Sequence, residues 1–382
     1  MIRLYDRETI DQVPWPATPD GDYARRVLDP LVRHGPQRYI DNVDAEGLVL
    51  MAGAIVLPVV VPRPAIRNSY VCSPTTHYID YAKREVEIEL HDQRLLRTIV
   101  PPLLDAFKPL LRWSKFERVV YVNNWLLSTN LYPPLDPATI EQIRDALIRR
   151  FPQHAIIFRS VNQRLNAPLL HDLIRLRFRP VFSRQVYILD PEAEGRRYRK
   201  RKAFRSDVLL ARRSEYRWLS AEQLDGDTSE RLVELYADLY LHKYSFDNPQ
   251  FNARFVTAAL RDGWLRIWAL SHNGRIDGVL GYVERHGVMT PPLLGYDRSL
   301  PPAVGLYRLL SLKLVEEAEQ HGLVLHLSSG AAAFKRHRGS TPAIEYNLVY
   351  DQHCAWSQRI PWRLLELLTR RAIVPIMQRF KL

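Results

Sequence analysis

Apolar and polar residues alternate from Trp264 to Leu270 and again from Ile276 to Glu284, on either side of Asn273-Gly274. Such a pair of runs around such a dipeptide predicts a β-hairpin. A third strand, Val288 to Asp297, follows His286-Gly287 and runs into the Pro301-Pro302 turn. The period then changes. Leu306, Leu309, Leu310, Leu314 and Val315 share one face of a helix from Gly305 to Gln320, which Gly322 ends in the C-cap manner. A strand from Leu323 to Leu327, a short basic segment up to Gly339 and a strand from Ile344 to Tyr350 complete the series. Upstream lie a strand from Glu215 to Leu219 and two helices, Ser229 to Tyr244 and Pro249 to Leu260, the latter with Pro249 in its first turn. The order predicts an α/β sheet of mixed, mostly antiparallel direction, not a doubly wound nucleotide fold.

The first half repeats the end of this series. A strand from Arg118 to Leu127 leads to Pro133-Pro134. The helix Pro137 to Arg150, the strand Ala155 to Phe158, a helix near Pro168 to Leu176 and the strand Gln185 to Leu189 come after it. From the second proline to the next strand is 21 residues in both halves, Pro134 to Ala155 and Pro302 to Leu323. Such self-similarity predicts two duplicated domains, with the strands at Val122 and Leu293 in equivalent places. The expected boundaries are 1–192 for an N-terminal degenerate copy, 193–213 for a basic linker and 214–382 for the C-terminal, active copy.

The longest apolar run, Gly47 to Val61, covers 15 residues and contains Pro58. A membrane span needs about 20, so the run reads as two buried strands broken at the proline. The last helix, Trp362 to Phe380, mixes leucines and isoleucines with four arginines and is expected to pack on the domain. Charge from the third residue onward argues against a secretory leader, and two distant cysteines, Cys72 and Cys354, give neither a disulfide framework nor metal spacing. A cytoplasmic protein is expected.

A net charge of +12 and a pI near 9.7 call for anionic partners. Between Arg196 and Arg205 seven cations fall in ten positions, which reads either as a solvated linker or as a phosphate-binding strip. P-loop, HExxH, G-x-S-x-G and Cys/His metal patterns are missing from the sequence.

The order of elements, with the stretches LLGYDRSLPPAVGLYRLL, GLVLHLSSGAAAFKRHRG and IEYNLVYD, resembles the GNAT (Gcn5-related N-acetyltransferase) superfamily. Phe334 to Gly339 is similar to the YK-x-x-FG element of the Fem-type aminoacyltransferases, tandem-GNAT enzymes that use aminoacyl-tRNA. Phe334 and Arg338 replace that element's tyrosine and phenylalanine, the coiled-coil insertion of many Fem enzymes is absent, and the Gly-rich acetyl-CoA loop is reduced to Ala303-Val304-Gly305.

The resemblance implies an N-acyltransferase that moves an acyl group from an acyl-CoA or acyl-carrier-protein phosphopantetheine thioester to a small-molecule amine, without a metal. Aminoacyl transfer from tRNA ranks second to this, and a catalytically inactive GNAT pair acting as a basic binding scaffold third. Lys335 is expected near the tetrahedral intermediate, where a fixed cation stabilises the oxyanion. Asp297 and Glu345, polar residues at strand ends beside Tyr296 and Tyr346, are the candidate bases, ahead of Glu284 and His326. The turn at Gly305, with Arg298 and Arg308, is the candidate phosphate cradle, because a helix start offers free N–H groups. Ser328, Ser329 and Phe334 would line the donor.

Overall fold

The structure is a computed structural model that describes residues 2–63, 68–89, 94–224, 228–375 and 377. Ile2–Tyr5 (β1) lies antiparallel to Ala45–Ala52 (β2), which pairs along its whole length with Ile55–Pro62 (β3). The chain therefore turns at Gly53, whose φ of 61° suits a tight turn, and not at Pro58. Pro58 is carried inside β3, next to Val59 and Val60, the two positions that pair with Val119–Val122 (β4). β4 is shorter than expected because Asn123, at φ 55°, bends the chain out of the ladder. It runs parallel to Ala155–Asn162 (β5).

Helices lie on both faces. Pro19–His34 (α1), on the side of Gly47, is capped by the Thr18 side chain. Ala82–Glu89 (α2), Arg94–Ala106 (α3) and Lys108–Trp113 (α4) form an insertion between β3 and β4 that the periodicity of the sequence does not announce. Pro137–Arg150 (α5), capped by Asp136, and Ala167–Arg175 (α6), on the side of Leu48 and Leu50, pack Ile140, Ile143, Leu147 and Leu173 against Leu57, Val120, Ile156 and Phe158.

Arg179–Leu189 (β6) leads into a basic stretch, which is not a linker. Its second part is a helix, Lys202–Arg213 (α7), whose inner face carries buried Phe204 and Asp207 with Leu210 and Ala211. Arg217–Ser220 (β7) begins a second run of antiparallel strands. Thr228–Ala237 (α8) continues as a π-helical turn, and Ala253–Asp262 (α9) starts at Asn252, three residues later than the position of Pro249 suggests. Arg266–His272 (β8), Arg275–Arg285 (β9) and Val288–Tyr296 (β10) form an antiparallel meander. Both of its turns, Asn273-Gly274 and His286-Gly287, have two consecutive positive φ angles, the type I′ geometry that matches strand twist.

Leu306–Gln320 (α10) ends in a Schellman motif: Leu323 N–H donates to the Ala318 carbonyl at 2.8 Å and Gly322 N–H to Glu319 at 3.3 Å. Val324–His326 (β11) runs parallel to β10, and Ala332–His337 (α11) and Thr341–Tyr350 (β12) follow. Trp356–Leu368 (α12) buries Trp362 against Phe116 and Tyr78. The end of the expected last helix, past residue 377, lies outside the described residues.

The chain forms two compact units, residues 1–183, 244–250 and 345–381, and residues 184–243 and 251–344. These divide the chain differently from boundaries at 192 and 214, for a topological reason. In the first unit the ladder runs β1-β2-β3-β4-β5-β12, and in the second β7-β8-β9-β10-β11-β6. Each has three antiparallel pairings, then one parallel pair, then an antiparallel closing strand. The closing strand of each unit comes from the other half of the sequence, so the duplicated domains have exchanged last strands. β4 and β10 hold equivalent positions, as the duplication predicts.

Gly295 on β10 lies under α8, where an added Cβ would stand 2.3 Å from the Leu235 carbonyl carbon and oxygen. Backbone cannot yield there as a side-chain tip does. Gly295→Ala is expected to lower unfolding free energy by about 1–3 kcal/mol in a urea titration, the usual range for an overpacked core.

Candidate active site

β10 and β11 are paired only at Val288–Val324 and Met289–Leu325, after which β10 continues along β9 and β11 stops. Past the end of β11 the chain turns sharply, with φ of 58° at Ser328, 76° at Gly330 and 50° at Ala331. Left-handed backbone at Ser328 and Ala331 is costly and must be held by its surroundings. Lys335 on α11 does this. Its Nζ donates to the carbonyls of Leu327 at 2.7 Å, Ser329 at 2.7 Å and Ser328 at 3.3 Å, and it stands 5.5 Å from the Tyr187 ring centroid. The ammonium is buried and fixed at the strand end, where the sequence places it. Ser328 Oγ also accepts from Arg184 Nη1 at 3.0 Å, so Lys335, Ser328 and Ser329 form one construction.

The candidate bases fare differently. Asp297 is buried and accepts from Ser299 N and Oγ, from Arg231 Nη2 at 3.0 Å and from Arg275 Nη2. Burial pushes its carboxyl up, but these donors and cations outweigh burial and hold it below its ordinary value of 3.8. A carboxylate engaged in this way is a structural anion rather than a proton acceptor. Arg231 and Arg275 lie far from it in sequence, which is why a strand-end position alone read as a base. Glu345 is buried in the other compact unit, opposite Asn162 in the β5–β12 ladder. Glu284 lies at an exposed position of β9, 3.9 Å from Arg266. The His326 ring is fully buried and its Nδ1 accepts from Ser328 N at 3.1 Å, which puts the neutral ring's proton on Nε2.

The turn at Gly305 has the left-handed φ, 74°, of a glycine chosen for close approach. What approaches is protein. A Cβ at Gly305 would meet Leu210 Cδ2 of α7 at 2.5 Å. The amides of Val304 and Gly305 donate to the Pro301 and Pro302 carbonyls. Arg308 Nε binds Asp207 Oδ1 at 2.6 Å, and Arg338 Nη2 binds the same oxygen at 3.0 Å. Arg298 donates to the Asp238 carbonyl at 3.0 Å. Phe334 is packed between Tyr307, tilted at 46° with centroids 4.7 Å apart, and the Arg338 guanidinium at 3.4 Å. Leu210 of α7 thus lies against the Gly305 turn, and Arg308 is engaged by Asp207.

Asp207 is the residue that periodicity and motif do not single out. It is the single acid between Arg196 and Arg213, and an isolated carboxylate among nine cations was the available signal. Lys200, Lys202, Arg205, Arg212 and Arg213 remain exposed there and make no ion pair among the described residues. Nor, among those residues, do His, Cys, Asp and Glu gather into a group that would hold a metal ion.

Residues 196–336 match the family model described as an acetyltransferase (GNAT) domain. No curated protein matches the chain. Among solved structures it is similar to the C-terminal domain of a putative lysylphosphatidylglycerol synthetase from Agrobacterium fabrum, at 11% identity over 66% of this chain and 82% of that one, with a TM-score of 0.45. A structure of FemX is 9% identical over 65% and 83%, with a TM-score of 0.48. A tandem GNAT protein from the clavulanic acid biosynthesis pathway is 10% identical over 91% and 98%, with a TM-score of 0.39.

Two outcomes follow from the geometry. Lys335→Ala strands three carbonyls and is expected to cost about 1.5–3 kcal/mol in chemical denaturation, whereas the exposed Lys202→Ala stays within about 0.5 kcal/mol. Asp297 has a depressed folded-state pKa, so its contribution is complete above its ordinary value of 3.8 and disappears as pH falls through the folded value. The melting temperature of the wild type should therefore drop more steeply below about pH 4 than that of Asp297→Asn.

Proposed function

We propose that this chain, whose residues 196–336 match a GNAT domain model, transfers an aminoacyl group from an RNA-borne ester to the amine of a small molecule. The amine nitrogen attacks the ester carbonyl carbon, the tetrahedral oxyanion collapses, and the carbon–oxygen bond to the RNA ribose breaks. The amine proton goes to the departing oxygen, and an amide and a free RNA end remain. Lys335 supplies a positive charge beside the developing oxyanion, and being already fixed by three carbonyls it needs no reorganisation to act.

The observation that carries the choice of donor is α7 lying over Gly305. A CoA or carrier-protein thioester brings a phosphate-bearing tail, and at the helix start that suits phosphate Leu210 lies against Gly305, with Arg308 held by Asp207. An ester on RNA needs no such cradle. It needs a cationic surface for the ribose-phosphate chain, and the outer face of α7 offers Lys202, Arg205, Arg212 and Arg213.

The assay supplies labelled aminoacyl-tRNAs, labelled acyl-CoAs and loaded acyl carriers, each with a pool of small amines, and follows amide formation. Label leaving the RNA pool supports the reading. Turnover from thioesters alone contradicts it, and no turnover from any donor favours a binding scaffold. In parallel, Lys202→Ala/Arg205→Ala/Arg212→Ala should weaken tRNA binding. The same change should flatten the dependence of log K on log salt by about two, at roughly 0.7–0.9 for each phosphate that is no longer neutralised.

A further inference from the structure

In the first unit, β4 leaves β5 after the Val122–Phe158 pair, and the next residue of β5 is Arg159. Its side chain is 2% exposed. A guanidinium at that depth is normally met by a carboxylate, since an uncompensated buried charge is expensive. Arg179, a partly buried arginine of the same unit, is met in that way, with Asp351 at 3.0 Å and Glu366 at 2.7 Å. Arg159 makes no ion pair among the described residues. Of its five donors, only one Nη1 hydrogen is used among those residues, on Asn124 Oδ1 at a long 3.4 Å, and the Tyr70 ring lies 5.8 Å away.

The surroundings are polar and held in place. Asn124 Nδ2 donates to the Val71 carbonyl at 2.8 Å, and Asn130 reaches Ser160 Oγ at 3.4 Å while accepting from Trp125 N at 2.9 Å. The Tyr132 hydroxyl donates to the carbonyl of Arg159 itself. Ser160 and Asn123, flanking the divergence of the two strands, have left-handed φ of 62° and 55°. Of the buried acids of this unit, Glu117 already accepts from Ser73 Oγ at 3.0 Å and Thr75 N at 2.8 Å, and Glu345, opposite Asn162 on the neighbouring strand, forms no ion pair with Arg159. A fork of unused donors has been placed, at a cost in stability, where two parallel strands separate.

We propose that Arg159 is the anchor of an oxyanion-binding site in the first unit, which takes the carboxylate or phosphate group of a small-molecule ligand between the diverging ends of β4 and β5. A planar guanidinium binds either group through two parallel hydrogen bonds, and the low dielectric around it strengthens them. The site is independent of the donor proposed for the second unit.

The test titrates inorganic phosphate and, separately, acetate into the full-length protein, with sodium chloride as the ionic-strength control, and follows the melting temperature. Wild type is expected to show a saturable rise with one of the two anions, and the one that saturates at lower concentration identifies the group. Arg159→Lys keeps the charge but loses the fork, and should need at least about tenfold more anion. Arg159→Gln should lose the response while melting, without anion, at or above the wild-type temperature, because an unpaired buried charge has gone. A wild type that responds to both anions no more than to chloride overturns the proposal whether or not the variants fold. An Arg159→Gln protein that keeps the full response overturns it as well.

Discussion

Asp207 is buried between Arg308 of α10 and Arg338 at the end of α11. Much of the second unit follows from that contact. It fixes α7 on α10, so that Leu210 closes the turn at Gly305. It also orients Arg338 over Phe334, which sets α11 and therefore the position of Lys335 over the end of β11. Removing one partner of such a buried cluster typically costs about 3–5 kcal/mol, because the remaining charges lose their compensation. A surface cation run thus hides an internal electrostatic joint.

The two units use one device in two ways. Each has a single parallel strand pair that opens beyond a few residues, and in each a serine with left-handed backbone follows, Ser160 and Ser328, both 26 residues past the second proline of the preceding pair. In the second unit, Lys335 gathers the carbonyls around that kink, and the result is a fixed cation beside a strand end. In the first, no lysine among the described residues plays that part. The kink is held instead through Asn130, and Arg159 occupies the strand position just before it. Duplication explains why both kinks exist at all. Divergence at single positions explains why one is held by a lysine and the other through an asparagine.

Local chemistry was readable from the sequence, and long-range pairing was not. Asn273-Gly274, Gly322 and Pro137 act through their own dihedral preferences, and the hairpin, the helix end and the helix start stand where those residues put them. The repeated order of strands and helices was legible for the same reason. Pro58 misled because an edge-like stretch of β3 tolerates a missing N–H, and the insertion from Thr76 to Trp113 lacked a clean apolar period. The strand exchange could not be read, since either closing strand satisfies the same alternation. At the site, Lys335, Ser328 and Ser329 came together as a local motif predicts. Asp297 and Gly305 changed meaning because Arg231, Arg275 and Leu210 arrive from distant segments.

Calorimetric titration of CoA into the wild type and into Leu210→Ala addresses the closed turn directly, since that closure is what separates the two donor classes. Wild type should show no saturable heat at millimolar CoA, and trimming Leu210 should open space at Gly305 without disturbing the Asp207 joint, so that weak binding emerges. Micromolar CoA binding by the wild type, unchanged in Leu210→Ala, would contradict the account and return the thioester to the place of donor.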